Sequence, residues 1–425
     1  MNILYLCPDL GVPVLGRKGA SVHVREFVKA LSRAGHNVVL AAQTLNKSPW
    51  ERPDVVEVSL VQVRLPSRIV EVALALKEFN AMLGVENSLP GEMRRILYNQ
   101  ELAGDLKRRF DGDPPDFIYE RASLYGTVGV LLAREFNVPL LLEVNAPVAL
   151  EQASYRSTGL GNLAAQAERW ALLHADAVLA VSSPLREHII SLGADPGRVH
   201  LFPNGVDPNL FQPAPPEAAV RARLGLDDGP VLGFVGGLRP WHGVDLLPEL
   251  VERLAHRYRN LHLVIVGDGP LRPRLEEAFV ERKVRKRVIF TGTLPHASVG
   301  PVVRQFDVAL APYPELDHPF YFSPLKLFEY MACGVAVVAA DVGQISETVR
   351  HGKSGLLCPP GNVGALVEAC HQLLGNPKLR RALGRAAAKL VHTHYTWDRN
   401  AARGLELAQT LIRARKTPGR ERPTA

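Results

Sequence analysis

At 425 residues the chain is too long for one ordinary hydrophobic core. With 47% hydrophobic, 22% charged and 7% aromatic residues, its composition excludes disorder as the default. A net charge of +7 leaves nucleic acid, an anionic membrane surface and small anionic ligands as partner classes. The basic clusters at Arg94-Arg95, Lys107 to Arg109, Arg282 to Arg287 and Arg413 to Arg422 are dispersed and lack interleaved aromatics, which sets nucleic acid aside.

The opening run MNILYLCPDL has no basic stretch before its apolar residues and reads as a strand, not an export signal. No apolar stretch approaches the ~18 residues needed to cross a bilayer. Cys7, Cys333, Cys358 and Cys370 form no CxxC pair, so neither a zinc knuckle nor a disulfide framework is expected. The expected location is the cytoplasm, with a peripheral contact at the inner membrane face.

Residues 2–7 predict a buried strand, followed by a Gly-rich loop and a helix from Ala20 to Ala34 that Gly35 stops. Further strands are expected at 37–42, 116–119, 139–144, 177–181 and 198–202. The segment 67–110 breaks this rhythm and reads as two helices split by Pro90-Gly91. It is either an acceptor or membrane surface or a packing excursion. Asp111-Gly112-Asp113 resembles a metal-binding DxD, but it precedes a strand in a Pro-rich turn and is read as a loop.

Residues 212–230 are linker-like, with a short helix inside. A second alternating series predicts strands at 231–235, 261–266, 287–290, 307–310, 336–339 and 355–357. Strands alternating with helices imply parallel sheets covered on both faces, an α/β protein of two Rossmann-like domains. The expected division is 1–208 for acceptor binding and 209–395 for the nucleotide sugar. A helix over 396–416 then returns to the first domain, and 417–425 is a disordered tail.

In open parallel sheets, ligands bind beyond the carboxyl ends of the strands. The strongest loop there runs from Tyr321 to Gly334. Backbone amides around Ser323, Pro324 and Leu325 would open a helix toward an anion, with Lys326 adding positive charge. Glu329 lies on the same helical face and suits the vicinal hydroxyls of a ribose. An ordinary surface Lys–Glu pair is the alternative. After the strand at 231–235 come Gly236, Gly237, Arg239, Trp241, His242 and Gly243. Arg239 and His242 could donate to a diphosphate, and Trp241 either lines a sugar pocket or packs in the core or between domains. The spacing is not GxGxxG. The loop Gly11 to Gly19 precedes the first helix without the spacing of a P-loop. Gly267-Asp268-Gly269-Pro270 reads as a structural turn, and His23, His296 and His318 as packing or exposed residues, His318 within reach of the 321–329 loop.

The run from Ser323 to Val338, together with Pro203-Asn204-Gly205-Val206-Asp207, Gly16 to Gly19, Phe234 to Gly237 and Gly292-Thr293-Leu294-Pro295, resembles the family 4 retaining glycosyltransferases of GT-B fold. The likeness covers nearly the whole chain in order. It implies two Rossmann-like domains facing across a cleft and transfer from a UDP- or GDP-linked sugar with retention, without metal or other cofactor. The net basic charge and the helical segment 67–110, with Arg94, Arg95 and Lys107 to Arg109, lead to the expectation of a glycan, lipid-linked or polysaccharide acceptor. Glu329 matches the family's ribose-binding glutamate and Gly19 its loop glycine near the diphosphate. Backbone near Thr293-Leu294 is expected to meet the base. Three positions depart: Tyr321 stands for a second glutamate, Gly237 and His242 for a basic pair, and Asn145 for a histidine. The expected catalytic set is His242, Lys326 and Asn145. The expected donor set is Gly19, Gly237, Arg239, Trp241, Thr293, Leu294, Tyr321, Ser323, Pro324, Leu325 and Glu329. A nucleotide-sugar 2-epimerase and an inactive nucleotide-sugar binding protein are the alternatives.

Overall fold

The computed structural model describes residues 1–45, 58–155 and 158–416. The expected tail, 417–425, lies outside them. Two compact units are present: Met1–Pro203 with Asp398 onward, and Asn204–Trp397.

The first unit runs β1 (Asn2–Cys7), α1 (Gly19–Arg33), β2 (Asn37–Ala42), β3 (Ser59–Gln62), α2 (Ser67–Met82), α3 (Leu89–Arg109), β4 (Phe117–Arg121), α4 (Val128–Glu135), β5 (Leu140–Val144), α5 (Val148–Tyr155), α6 (Gly161–His174), β6 (Ala177–Ala180), α7 (Ser183–Ser191) and β7 (Val199–Leu201). Its strands pair in parallel in the order β3-β2-β1-β4-β5-β6-β7. The apolar run of β1 is buried from Ile3 onward, as a strand covered on both faces must be. Gly35, at φ +84°, ends α1 in the left-handed conformation that a Cβ disfavours.

The second unit runs α8 (Ala218–Arg223), β8 (Val231–Val235), α9 (Leu247–Ala255), β9 (His262–Val266), α10 (Arg272–Glu281), β10 (Val288–Gly292), α11 (Val299–Val303), β11 (Val308–Ala311), α12 (Leu325–Ala332), β12 (Ala336–Ala340), α13 (Gly343–Thr348), β13 (Leu356–Cys358), α14 (Val363–Gly375) and α15 (Pro377–His394). Its sheet is parallel in the order β10-β9-β8-β11-β12-β13. Successive residues of a strand point to opposite faces, and the core follows that rule. Val264 and Val266, Ala309 and Ala311, and Val337 and Ala339 pack on the α12 and α15 side. Leu263 and Ile265, Val308 and Leu310, and Ala336 and Val338 pack against α9, α10 and α14.

A last helix, α16 (Trp397–Lys416), contributes Asp398 onward to the first unit. There Arg415 grips both carboxylate oxygens of Asp176 at 2.7 Å, and Asn400 donates to the Pro203 carbonyl at 2.7 Å.

The boundary falls at Pro203/Asn204 instead of 208/209. Asn204 is hydrogen-bonded to Ser323, and Val206 donates to the Tyr395 carbonyl, so 204–208 belongs to the second unit. The break expected at Pro90-Gly91 lies at 83–88. Proline fits the first turn of a helix, where its missing N–H costs nothing, and Pro90 lies in the first turn of α3. Strand β3 was not anticipated, since SLVQ is short and half-buried.

Candidate functional site

In the second sheet the strand order reverses between β8 and β11, and a crevice opens beyond the carboxyl ends of such a pair. The loops 236–246 and 312–324 leave from there. They meet tightly: a Cβ on Gly243, at φ +64°, would lie 1.6 Å from the Pro312 carbonyl oxygen. Neighbouring turns are cross-braced, Gly236 N–H donating to the Val266 carbonyl at 2.8 Å and Gly267 N–H to that of Gly292 at 2.9 Å. A Cβ on Gly267 would lie 2.1 Å from the Gly236 carbonyl oxygen, so the turn at 267–270 is a close backbone approach that glycine permits. Tyr330 of α12 accepts from the Val235 N–H at 2.6 Å and ties that helix to the end of β8.

Lys326, in the first turn of α12, is buried. Its Nζ lies 4.2 Å from the Phe234 ring centroid and 5.4 Å from that of Tyr313, with no hydrogen-bond partner among the described residues. A Cβ on Gly236 would come within 2.7 Å of that nitrogen. Burial lowers its pKa to about 7, against the opposing pull of Glu329. The rings offset part of the desolvation, but a buried cation without a hydrogen bond is costly until an anion reaches it.

Glu329 is 7% exposed, and Oε1 accepts from His296 Nε2 at 2.9 Å. The surface Lys–Glu pair is therefore not formed: both side chains are buried, and the carboxylate pairs with a histidine expected to be exposed. His296 opens a short 3-10 turn (His296–Ser298) and packs its ring 5.1 Å from that of Phe211.

His242 corrects another expectation. Its Nδ1 lies 2.6 Å from the Gly237 carbonyl, which can only accept, so Nδ1 carries the proton. Burial, and then the Lys326 charge, push its pKa down to about 3. With Nδ1 engaged on Gly237, the neutral ring presents Nε2 as an acceptor. Arg239 is exposed, with its guanidinium 5.7 Å from the Trp241 ring centroid, so Arg239 is the donor this loop presents to solvent. Trp241 also meets His242 edge-on.

Ser323 Oγ accepts from the Asn204 N–H at 2.9 Å, and Asn204 Nδ2 donates to the Ser323 carbonyl at 2.6 Å. Pro324 caps α12 and Leu325 is its first residue. Tyr321 is buried, with its ring stacked on His318 at 5.2 Å. Thr293 is exposed, and Leu294 is half-buried against the core beneath α12.

Gly19 and Asn145 lie in the first unit. Gly19 is exposed and opens α1. One turn on, His23 pairs with Glu143 at 2.7 Å. Asn145 Nδ2 donates to the same carboxylate, Arg121 lies 3.3 Å from it, and the Tyr119 hydroxyl donates at 2.5 Å. Burial alone would raise the pKa of Glu143, but His23, Arg121 and Tyr119 together hold it down at about 2. Asn145 thus belongs to a buried ionic cluster at the ends of β4 and β5. Arg25 of α1 donates to the carbonyls of Val14 at 2.8 Å and Gly16 at 2.5 Å and shapes the preceding loop.

Comparison with known proteins decides the family. Residues 17–210 match the family described as Glycosyltransferase Family 4, and residues 229–376 match Glycosyl transferases group 1. The alpha-D-kanosaminyltransferase of Streptomyces kanamyceticus is 30% identical over 274 residues, covering 63% of this chain and 69% of that relative. The chain belongs to the family 4, group 1 glycosyltransferases. Its fold is GT-B, as in the solved sucrose-phosphate synthase from Thermosynechococcus elongatus, which superposes with a TM-score of 0.74 at 22% identity over 97% of this chain and 99% of that one. The Anabaena protein HepE, solved in complex with UDP and glucose, superposes with a TM-score of 0.70 at 17% identity over 96% and 99%.

In this glycosyltransferase, α12 brings Lys326 and Glu329 to the crevice end of the second sheet, and the loop after β8 brings Gly237, Arg239, Trp241 and His242 there. Sequence reasoning gave no positioning role to His296, Asn204 and Tyr330, which hold α12 and its carboxylate in place. It also missed the His23–Glu143 pair. Their signal is a contact across tens of residues, which no local spacing carries.

Proposed function

We propose that this glycosyltransferase moves a sugar from a nucleoside diphosphate sugar to a glycan or lipid-linked acceptor, with retention of configuration and without metal or other cofactor. The observation that carries the reading is Lys326, a buried amine with no hydrogen-bond partner among the described residues, three residues from a carboxylate held by His296. A diphosphate supplies the hydrogen-bond acceptor that Lys326 lacks among the described residues, and the first free amides of α12 add hydrogen bonds to its oxygens. A ribose supplies the hydroxyl donors that Glu329 can accept. HepE was solved with UDP and glucose, which supports a nucleoside diphosphate sugar as the donor for this chain.

In the proposed step the bond between the anomeric carbon and the diphosphate oxygen breaks and charge develops on the leaving phosphate. The side chain of Lys326, turned slightly from its aromatic cage, stabilises that charge in place of a divalent cation. The acceptor oxygen attacks from the face the diphosphate leaves, and its proton passes to a phosphate oxygen. His242, neutral and fixed through Nδ1, accepts from a sugar hydroxyl at Nε2. The chain thus works by orienting the reactants and by placing charge beforehand. The kanosaminyltransferase likeness supports transfer over 2-epimerisation.

The test is a thermal-shift panel of UDP, GDP, ADP and CMP, with the corresponding nucleotide sugars, on wild type and Glu329→Ala. One nucleoside diphosphate is expected to raise Tm by several degrees, and the variant to lose most of that shift. A flat response across the panel would remove the donor site and leave the family likeness alone.

A further inference from the structure

We infer that His296 is a positioning residue: it orients the Glu329 carboxylate and so sets discrimination between ribose and 2′-deoxyribose in the donor. The inference rests on reading Glu329 as the acceptor for ribose hydroxyls. His296 and Glu329 come from different elements, the short turn after β10 and the second turn of α12, 33 residues apart. Their side chains are 12% and 9% exposed, so water competes weakly for the bond between them. A carboxylate only accepts, so His296 Nε2 carries the proton that joins it to Oε1 at 2.9 Å.

A glutamate carboxylate turns freely about its last side-chain bond unless something holds it. His296 holds one oxygen, and the Phe211 ring, 5.1 Å from the imidazole, limits the histidine in turn. Among the described residues, His296 is the side chain that hydrogen-bonds Glu329. The remaining lone pairs of the carboxylate are therefore presented in one orientation. That orientation matters most for a pair of vicinal hydroxyls, because both bonds must form from one rigid sugar edge. A site built to bond a hydroxyl rejects the analogue lacking it far more strongly than an apolar pocket rejects a missing methylene. Losing the histidine frees the carboxylate, and the penalty falls on the ligand that uses both hydroxyls.

The experiment measures Kd by calorimetry for UDP, GDP and ADP and for their 2′-deoxy counterparts. The proteins are wild type, His296→Phe, His296→Gln and Glu329→Gln. Phenylalanine keeps a ring against Phe211 and removes the donor, whereas glutamine places an N–H at comparable reach. For the tightest base, wild type is expected to prefer the ribose form by about tenfold or more, the worth of one hydrogen bond to a charged group. His296→Phe is expected to reduce that preference to about threefold or less, chiefly by weakening the ribose form, and His296→Gln to recover most of it. If His296→Phe weakens both forms equally, the histidine is merely structural and the inference falls. If Glu329→Gln keeps the wild-type preference, the ribose reading of Glu329 falls and takes the inference with it. If Glu329→Gln abolishes the preference while His296→Phe retains it, only the inference is overturned. Absence of binding by all three diphosphates to wild type overturns both. Should His296→Phe fail to fold, His296→Asn, too short to reach Oε1, is read by the same ratio.

Discussion

A buried lysine whose nitrogen meets no acceptor among the described residues is unusual enough to need a reason. Lys326 sits over Phe234 and beside Tyr313, and burial holds its pKa at about 7, below its ordinary value of 10.5. Between those two values the unfolded chain binds a proton there that the folded protein does not. The stability contributed by this site is therefore least below about pH 7 and grows as pH rises toward 10.5. A methionine at 326 has a similar shape and no charge. The difference in unfolding free energy, wild type minus Lys326→Met, is expected to rise by on the order of a few kcal/mol from pH 6.5 to 9.5, at ~1.4 kcal/mol per unit. Urea denaturation at three pH values measures it, and a difference independent of pH would mean that Lys326 is not desolvated as the structure indicates. On the proposed function, diphosphate binding holds the ammonium charged and takes up a proton. Affinity for UDP should then weaken as pH rises above about 7 in wild type, and the variant should bind poorly at every pH. His242 adds no titration to that profile, since it stays neutral down to about pH 3.

At the scale of elements, the loops around the site owe their shape to glycines where backbones touch. Gly243 combines a positive φ with a Cβ position 1.6 Å from the Pro312 carbonyl oxygen. Gly352 has a similar φ of +71° with nothing within 4 Å of its Cβ position. Gly352→Ala should cost about 1 kcal/mol, the strain of a left-handed alanine, and Gly243→Ala roughly 3 kcal/mol or more, because the loops after β8 and β11 must separate. Chemical denaturation of both variants checks the contrast, and equal losses would show that the 236–246 loop yields freely. These contacts also explain what was legible in the sequence. Runs such as NVVLAA and VLGFV stand out because parallel strands buried on both faces are apolar throughout, and β2 and β8 match the residues expected for them. The stretch SLVQ lacks that signature, and Pro90 misled because proline both breaks helices and starts them. In the site, Lys326 and Glu329 could be picked out from one helical face. Their burial, the His296 bond and the altered role of His242 depend on partners brought together by the sheet order, which spacing along the chain does not encode.

For the whole molecule, two features outside the sheets bear on where the proposed acceptor is met. Among the described residues no helix is long and apolar enough to cross a membrane. Yet α2 buries only Ile69 fully and leaves Val72, Leu74, Phe79 and Met82 exposed, with Leu83 and Val85 following, Met82 at 73%. Soluble proteins seldom expose so many large apolar side chains on one element without a use for them. The chain carries a net charge of +7, and Arg94, Lys107, Arg108 and Arg109 on α3 are exposed. Apolar side chains that enter the headgroup region, joined to dispersed positive charge, suit a peripheral contact with an anionic bilayer, where a lipid-linked acceptor would lie. We propose that contact for α2. Wild type should cosediment with vesicles rich in phosphatidylglycerol at low salt and release as salt rises past physiological strength, since surface attraction fades within a Debye length. Phe79→Ser with Met82→Ser should lose most of the binding while keeping the wild-type Tm, because both side chains already face water. Indifference of the wild type to anionic vesicles at low salt would remove the membrane contact. The acceptor would then be sought among soluble glycans, and the exposed face of α2 would need another partner.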